Sequence, residues 1–376
     1  MYPARKRTRT LDDPMIDPFL LAAQRWLDTL PAAALEASLA AGVLLTLPAN
    51  EPPWRGTGVH VHAGQWYSLF ASGRIQWSPR DPALYGGPRF HLWARVAPGG
   101  RIVNLSADTG SFVADVSGEL ELALYMGLWK NAAGELATSI ALYQSLQGQL
   151  DVLAIAWRGQ TTDALATLAS AAPATFIGQE IARLSTSVAP PPGWEYLLET
   201  GYAEIFAQAR DPTGRDAIRL EAHDDQGILR KPVDCALTPD TRITWRWRVT
   251  EQPSAVAEDS VRTHDYISIA TEFDNGRDLT WIWSAALTPG EHFPCPIKAW
   301  TARETHWVVR SGTDALGRWY DEERNVFDDV AAAMGPPPAR IVAIWLIGVS
   351  TFQHGTARAE FADIVLRNEA GTIQVL

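Results

Sequence analysis

The sequence predicts a mainly β protein: two antiparallel, jelly-roll-like β-sandwich domains, with an N-terminal helical pair and a helical, proline-rich connector. Three observations carry this. Short runs alternating apolar and polar residues, separated by Gly, Pro, Asn and Asp, occur in two blocks. Between the blocks, helical spacing ends in Ala189-Pro190-Pro191-Pro192-Gly193, the sharpest break in the chain. Tryptophan is abundant, with sixteen residues, nine of them from Trp194 to Trp345, and indoles suit sandwich cores and flat ligands alike.

In chain order, Phe19, Leu20, Ala23, Trp26, Leu27 and Leu30 recur at helical spacing within 14–42, and 33–41 repeats the habit after Pro31. Residues 1–50 therefore read as a helical extension. From 51 to 158 the text becomes strand-like: GVHVHAGQWYSLFASGRIQW, RFHLWARV, GRIVNLS, GELELALYMGLW, TSIALYQ and QLDVLAIAW. Leu165, Leu168, Ile177 and Ile181 restore helical spacing in the connector, 159–193. Strands resume across 194–376 in YAEIFAQAR, AIRLEA, RITWRWRV, YISIATEF, LTWIWSAAL, THWVVRSG, IVAIWLIGV and ARAEFADIVL, broken by one helix at 325–334.

Composition removes several functions. The net charge is −11, with no basic block beyond Arg5-Lys6-Arg7 and Arg9, so phosphate backbones are repelled and nucleic acid is not an expected partner. The apolar stretch 32–47 is interrupted by Glu36 and is shorter than the roughly 20 residues a bilayer span needs. Asp12, Asp13 and Asp17 follow the basic start where a secretion signal would be apolar, so the expected location is cytoplasmic, away from membranes. Cys235 and Cys295 lack CxxC or metal-type spacing and are expected to be two buried thiols.

Two resemblances add to this reading. From Thr57 to about Tyr143, VHVHAGQWYSLFASGRIQW and SGELELALYMGLWKNAAGEL resemble the opening strands and closing hairpin of galactose-binding lectin domains of the PA-IL type, which hold sugar through calcium. Where that family places Asp and Asn, this chain has Tyr125-Met126-Gly127-Leu128-Trp129-Lys130-Asn131, too few oxygens for a calcium that takes six to eight. From about Ile228 to Leu366, the segments ITWRWRV, THDYISIATEF, LTWIWS, WVVRSG, GRWYDEERNVFDDVAAAMG and ARAEFADIVL resemble the domain-of-unknown-function family numbered 3047, which implies a jelly-roll-like fold without an assigned activity.

Candidate site residues follow from alternation in the second domain. Trp245 and Trp247 share one face of their strand, and Arg246 and Arg248 share the other. With Trp283, Arg324 and Asn325, these arginines form the expected ligand-binding set, because guanidinium suits carboxylates and polyols. His264 and Asp265 are expected to open the next strand, pointing to opposite faces. Glu322 and Glu323 are expected to open the helix, where the dipole favours them. These four are the acid–base candidates. By analogy with carbohydrate-module sandwiches, Asp363 is the candidate ligand for a structural calcium. His60 and His62 lie two apart on one strand face, without a third ligand in view.

The leading expectation is a ligand-binding protein for carbohydrate or another hydroxylated or planar small molecule. The alternative is an enzyme, whether hydrolase, lyase or cyclase, acting on a glycan or small molecule. A third reading makes the first sandwich an assembly surface around Trp129, consistent with a homo-oligomer.

Overall fold

The computed structural model describes residues 18–51, 53–126 and 128–376. The basic start with Arg5, Lys6, Arg7 and Arg9, the first residues of the expected 14–42 helical region, and Gly127 lie outside them. The chain divides into two compact units. One takes in the residues up to Pro79 with Gly86–Met126 and Ile140–Thr186; the other takes Arg80–Tyr85, Gly127–Ser139 and Ser187–Leu376.

In the first unit, two antiparallel sheets carry the alternating runs. One orders the strands Leu39–Pro48, Gln147–Trp157 and Trp66–Gln76, with Thr109–Val113 also paired to Trp66–Gln76; the other orders Arg55–Val61, Gly118–Leu124, Leu92–Ala97 and Val103–Asn104. Helices Pro18–Thr29, Ala32–Ser38, Thr161–Ala171 and Thr175–Thr186 join this unit, not a separate extension or connector: Trp26, Leu165, Leu168 and Ile177 form one core with Phe70, Leu153 and Trp157. The expected second helix stops at Ser38. The chain then extends as a strand through Pro48, because Val43, Leu44 and Leu45 meet Ala154, Leu153 and Val152 across an otherwise unpaired edge.

Two other expectations change. TSIALYQ forms a 3-10 turn, Ile140–Ser145, in which only Tyr143 is buried, its hydroxyl donating to Leu124 O at 2.8 Å. In RFHLWARV, Pro88 starts a single helical turn to His91 before the strand Leu92–Ala97. His91 is fully buried between two partners, since Nδ1 meets Tyr125 O at 2.9 Å and Trp77 Nε1 donates to its Nε2 at 2.8 Å.

The second unit is a two-sheet sandwich. Its seven-stranded sheet runs Glu195–Tyr196, Gln226–Ala236, Arg340–Val349, Ile267–Phe273, Asp278–Ser284, Glu304–Ser311 and His292–Pro294. All neighbours in it are antiparallel except Asp278–Ser284 with Glu304–Ser311, which are parallel. The other sheet runs Phe206–Arg210, Asp216–His223, Thr356–Asn368, Arg242–Glu251 and Tyr320–Asn325. Alternation holds along Arg242–Glu251: Trp245 and Trp247 are buried, whereas Arg246 and Arg248 are half-buried. The indoles of Trp245 and Trp281 pack 5.7 Å apart and those of Trp247 and Trp283 5.4 Å apart, joining the sheets.

Glu322 and Glu323 lie on the strand Tyr320–Asn325, paired to Trp245 and Thr244, and do not open the helix. The helix is Val326–Met334. Asn325 caps it by accepting from Asp328 N at 3.2 Å, and Asp328 and Asp329 supply the acidic first turn. His264 and Asp265 precede their strand, which starts at Ile267, and both are buried.

Two measurements test this packing. Trp247→Ala opens a cavity among Trp245, Trp283 and Phe361 and removes one of the two partners of Glu322 Oε1, leaving Arg310; urea unfolding is expected to show a loss of about 3–5 kcal/mol. For His91, burial lowers the pKa from 6.5 to about 4. The folded state therefore binds fewer protons than the unfolded chain, and stability falls as pH drops from 6.5 toward 4, by about 3 kcal/mol. His91→Gln is expected to flatten that part of the pH–stability curve.

Candidate metal centre

The central strands of the seven-stranded sheet, Ile267–Phe273 and Asp278–Ser284, have one face in the core and a second face that is also buried. Leu279, Trp281 and Trp283 point inward. Asp278 and Thr280, two apart, take the opposite face. Register places Asp278 beside Glu304 and Thr280 beside His306, so Glu304 and His306, also two apart, share that second face. The short strand His292–Pro294 pairs with Thr305–Trp307 and delivers Cys295, whose N–H bonds to Glu304 O at 3.0 Å. His264 arrives from the segment before Ile267–Phe273.

These four side chains converge. One ligand atom from each of His264, Cys295, Glu304 and His306 lies within 4.8 Å of the others, and all four residues are buried. Cys295 Sγ is 3.3 Å from His264 Nε2, and His306 Nε2 is 3.5 Å from Glu304 Oε2. Ligand bonds of about 2.0–2.3 Å in a tetrahedron leave neighbouring donor atoms roughly 3.3–3.7 Å apart, which both separations match. The surroundings orient the ligands. His264 Nδ1 donates to Glu258 O at 3.0 Å, leaving Nε2 as the lone-pair nitrogen facing the cluster. Glu258 is anchored in turn by Ser284 Oγ and Ala285 N. Tyr266 donates to Glu304 Oε1 at 3.0 Å, and the Phe293 ring stacks on His306 at 5.2 Å.

Electrostatically the cluster is rich in acceptors and poor in positive charge. Burial, with His306 adding to it, lowers His264 to about 4 and keeps it neutral. Burial and the Glu304 charge push the Cys295 thiol up. Burial alone would raise Glu304, but His306, His264 and Cys295 hold it down, to about 2, so a carboxylate charge sits inside the protein. Asp278, next to it, is pushed well up by burial and by that charge. Both ring nitrogens of His306 and Oδ1 of Asp278 have no hydrogen-bond partner. Arg303, beside this face, bonds Glu199 at 3.0 Å, and its Nε lies 3.8 Å from Asp278.

A divalent ion fits this donor set. Thiolate and carboxylate together neutralise two positive charges, two neutral imidazoles complete a four-ligand shell, and the mixture of S, N and O is one that zinc accepts. The sequence contained one trace of the site, the Glu304-Thr305-His306 spacing on a strand. Cys295 and His264 stand at irregular distances from it, so no spacing rule reveals them; both cysteines are buried thiols, as expected, and Cys295 faces the cluster.

The other sequence candidates occupy separate networks. Arg246 is held by Asp211 (3.3 Å), Asp321 (3.2 Å) and Asp363 (3.0 Å), and Arg248 by Glu360 (2.7 Å). They therefore offer no free cation to a ligand. Trp283 is 2 % exposed and donates to Gly312 O at 3.1 Å, so it is core and not a platform. Arg324 grips Asp329 with two nitrogens, at 2.7 and 2.6 Å. Asn325 is spent on its cap. Glu322 binds Arg310 and Trp247 Nε1, and Glu323 binds Arg367 at 2.7 Å. Neither is paired with His264 or Asp265, because they lie on the other sheet. Asp265 accepts from Phe352 N (2.9 Å) and Gln353 N (2.6 Å), fixing a turn, and burial raises it to about 6. Asp363 sits between two guanidiniums, with Arg215 at 2.7 Å, and that charge opposes calcium. Asn131 Oδ1 closes its own turn on Ala133 N and Glu135 N. Trp129 is 3 % exposed, so its own ring is not a surface.

A family model matches the segment that carries the site. Residues 204–365 match the model of DUF3047, described as a protein of unknown function. The DUF3047 segment contains all four clustered ligands. No curated protein matches the chain. Similar solved structures include the EclA N-terminal domain, a PllA-like lectin, at 16 % identity over 30 % of this chain and 94 % of that one, with a TM-score of 0.24. The xyloglucanase domain of NopAA from Sinorhizobium fredii aligns at 9 % identity over 48 % and 94 %, with a TM-score of 0.27. A mutant of ENZbleach xylanase aligns at 11 % identity over 51 % and 88 %, also with a TM-score of 0.27. No helix among the described residues is long and apolar enough to cross a membrane.

Tyr266→Phe tests the buried network. Removing a hydrogen bond to a charged carboxylate in a dry site is expected to cost about 1.5–3 kcal/mol in urea unfolding.

Proposed function

We propose that the DUF3047 sandwich is a zinc-binding domain. Cys295, His264, His306 and Glu304 hold the ion, and the observation that carries this reading is the convergence on His306: fully buried, with no hydrogen bond of ordinary geometry among the described residues, its Nε2 3.5 Å from the Glu304 carboxylate, and facing an imidazole and a thiol. Four protein ligands and a dry surround make the site closed, which suits a structural ion more than one that keeps an open position for substrate. Bound there, zinc ties two irregular segments, one leading to His264 and one carrying Cys295, to the strand that bears Glu304 and His306. It converts the Cys295 thiol to thiolate and removes the need for a proton as counter-charge.

A second reading keeps recognition of carbohydrate or another hydroxylated ligand in this sandwich. It is supported by Trp319, half-buried, with Arg246 and Arg248 4.9 and 5.5 Å from its ring and its Nε1 without a hydrogen-bond partner. Paired guanidiniums cannot bind as free cations there, so the indole would be the contact surface. Loss of a ligand-induced thermal shift in Trp319→Ala would mark this surface as the site.

The zinc reading is tested by metal analysis of the purified chain, expected to give one zinc per molecule, and by cobalt substitution, expected to show thiolate-to-metal absorption. Cys295→Ser and His306→Ala are expected to weaken zinc binding at least about a hundredfold, and Tyr266→Phe about tenfold to a hundredfold. Chelation is expected to lower the melting temperature of the wild type but not of Cys295→Ser. A fully folded wild type that binds no stoichiometric metal would overturn the assignment.

A further inference from the structure

The first unit contains an open cleft of about 770 Å³, lined among others by His60, His62, Gln65, Trp66, Arg158 and Gln160. Its size lies within the roughly 300–1,000 Å³ of small-molecule sites. The walls come from the turn after Arg55–Val61 and from the end of Gln147–Trp157, where the strand hands over to the helix Thr161–Ala171. Gln65 braces the turn: its Nε2 donates to Trp157 O at 2.9 Å, and its Oε1 accepts from His62 N at 2.9 Å. The frame is therefore built without drawing on the remaining polar side chains.

Those side chains are unspent. Arg158 is exposed and forms no side-chain hydrogen bond or ion pair with any described residue, and the same holds for the side chains of His60, His62 and Gln160. Most arginines elsewhere in the protein are paired; Arg246, Arg248, Arg303, Arg310 and Arg324 all are. None of the eleven lining residues is Asp or Glu, in a chain that carries 43 acidic residues and a net charge of −11. A concave site with one guanidinium unpaired among the described residues and no carboxylate in its lining is locally positive, and the two imidazoles add hydrogen-bonding groups. Trp66, half-buried at the wall, adds an apolar ring face.

We infer that this cleft binds a small hydroxylated molecule bearing an oxyanion, with the anion on Arg158 and the hydroxylated body against Trp66, His62 and Gln160. The guanidinium fork matches a carboxylate or phosphate, and the indole face suits the C–H surface of a sugar ring.

Calorimetric titration of the full-length protein with glucuronate, glucose 6-phosphate, glucose and glucosamine tests the inference. One or both anions are expected to bind, glucose at least tenfold more weakly, and glucosamine not at all; the response to glucuronate against glucose 6-phosphate tells whether carboxylate or phosphate is preferred. Arg158→Gln, on an exposed position and with unchanged urea unfolding, is expected to weaken the anion at least tenfold. His62→Ala is expected to weaken it to a lesser degree, and Arg248→Gln to leave it unchanged. Equal binding of glucose and the anions, no binding of either anion, or full retention by Arg158→Gln would each overturn it.

Discussion

The second unit depends on one constraint: the central strands of its seven-stranded sheet, Arg340–Val349, Ile267–Phe273 and Asp278–Ser284, are buried on both faces. A sheet whose outer face meets water can place carboxylates and imidazoles there at little cost. Here Asp278, Glu304 and His306 alternate outward from a core of Leu279, Trp281 and Trp307 and still end up buried, because the segments around Glu258 to Tyr266 and around Phe293 to Arg303 cover them. Burying ionisable groups without partners costs several kcal/mol each. Protonation of Asp278 and the nearby Arg303 offset part of this cost, and the proposed zinc would supply further positive charge while joining the covering segments to the sheet.

The first unit shows what a buried carboxylate looks like when the protein satisfies it alone. Glu180 is fully buried, yet it accepts from Thr109 Oγ1 and Ser111 Oγ at 2.6 Å each and is clamped by Arg183 at 2.8 Å. Nothing further is needed, and the interaction fixes the helix Thr175–Thr186 to the sheet. Around Glu304 the donors are the Tyr266 hydroxyl at 3.0 Å and Thr280 at 3.4 Å, with His306 Nε2 at 3.5 Å. Glu180 is held by a guanidinium, whereas Glu304 is held by neutral groups and an imidazole.

The arginines divide in the same way. On the six-stranded sheet, Arg246 and Arg248 lie among Asp211, Asp321, Asp363 and Glu360, and their charge is consumed in holding strands and turns together. Arg158 stands in a cleft without carboxylates. Alternation shows which arginines leave the core, but not which of them meet acids from distant segments.

What the sequence by itself determined was the pair of sandwiches, the indole layer of Trp245 and Trp247, and the helix ending at Met334, because period two and capping chemistry act between residues that are neighbours in the chain. The strand 39–48 was missed because its helical-looking start is overridden by an edge ninety residues or more away. The cluster is hidden for the same reason: Glu304 and His306 are local, but Cys295 reaches them by a strand return, and His264, an acid–base candidate in the sequence, joins them by a loop. Only the tertiary structure decided which polar groups face one another in a dry space, since that depends on how segments far apart in sequence fold over the sheet, and no local pattern encodes it.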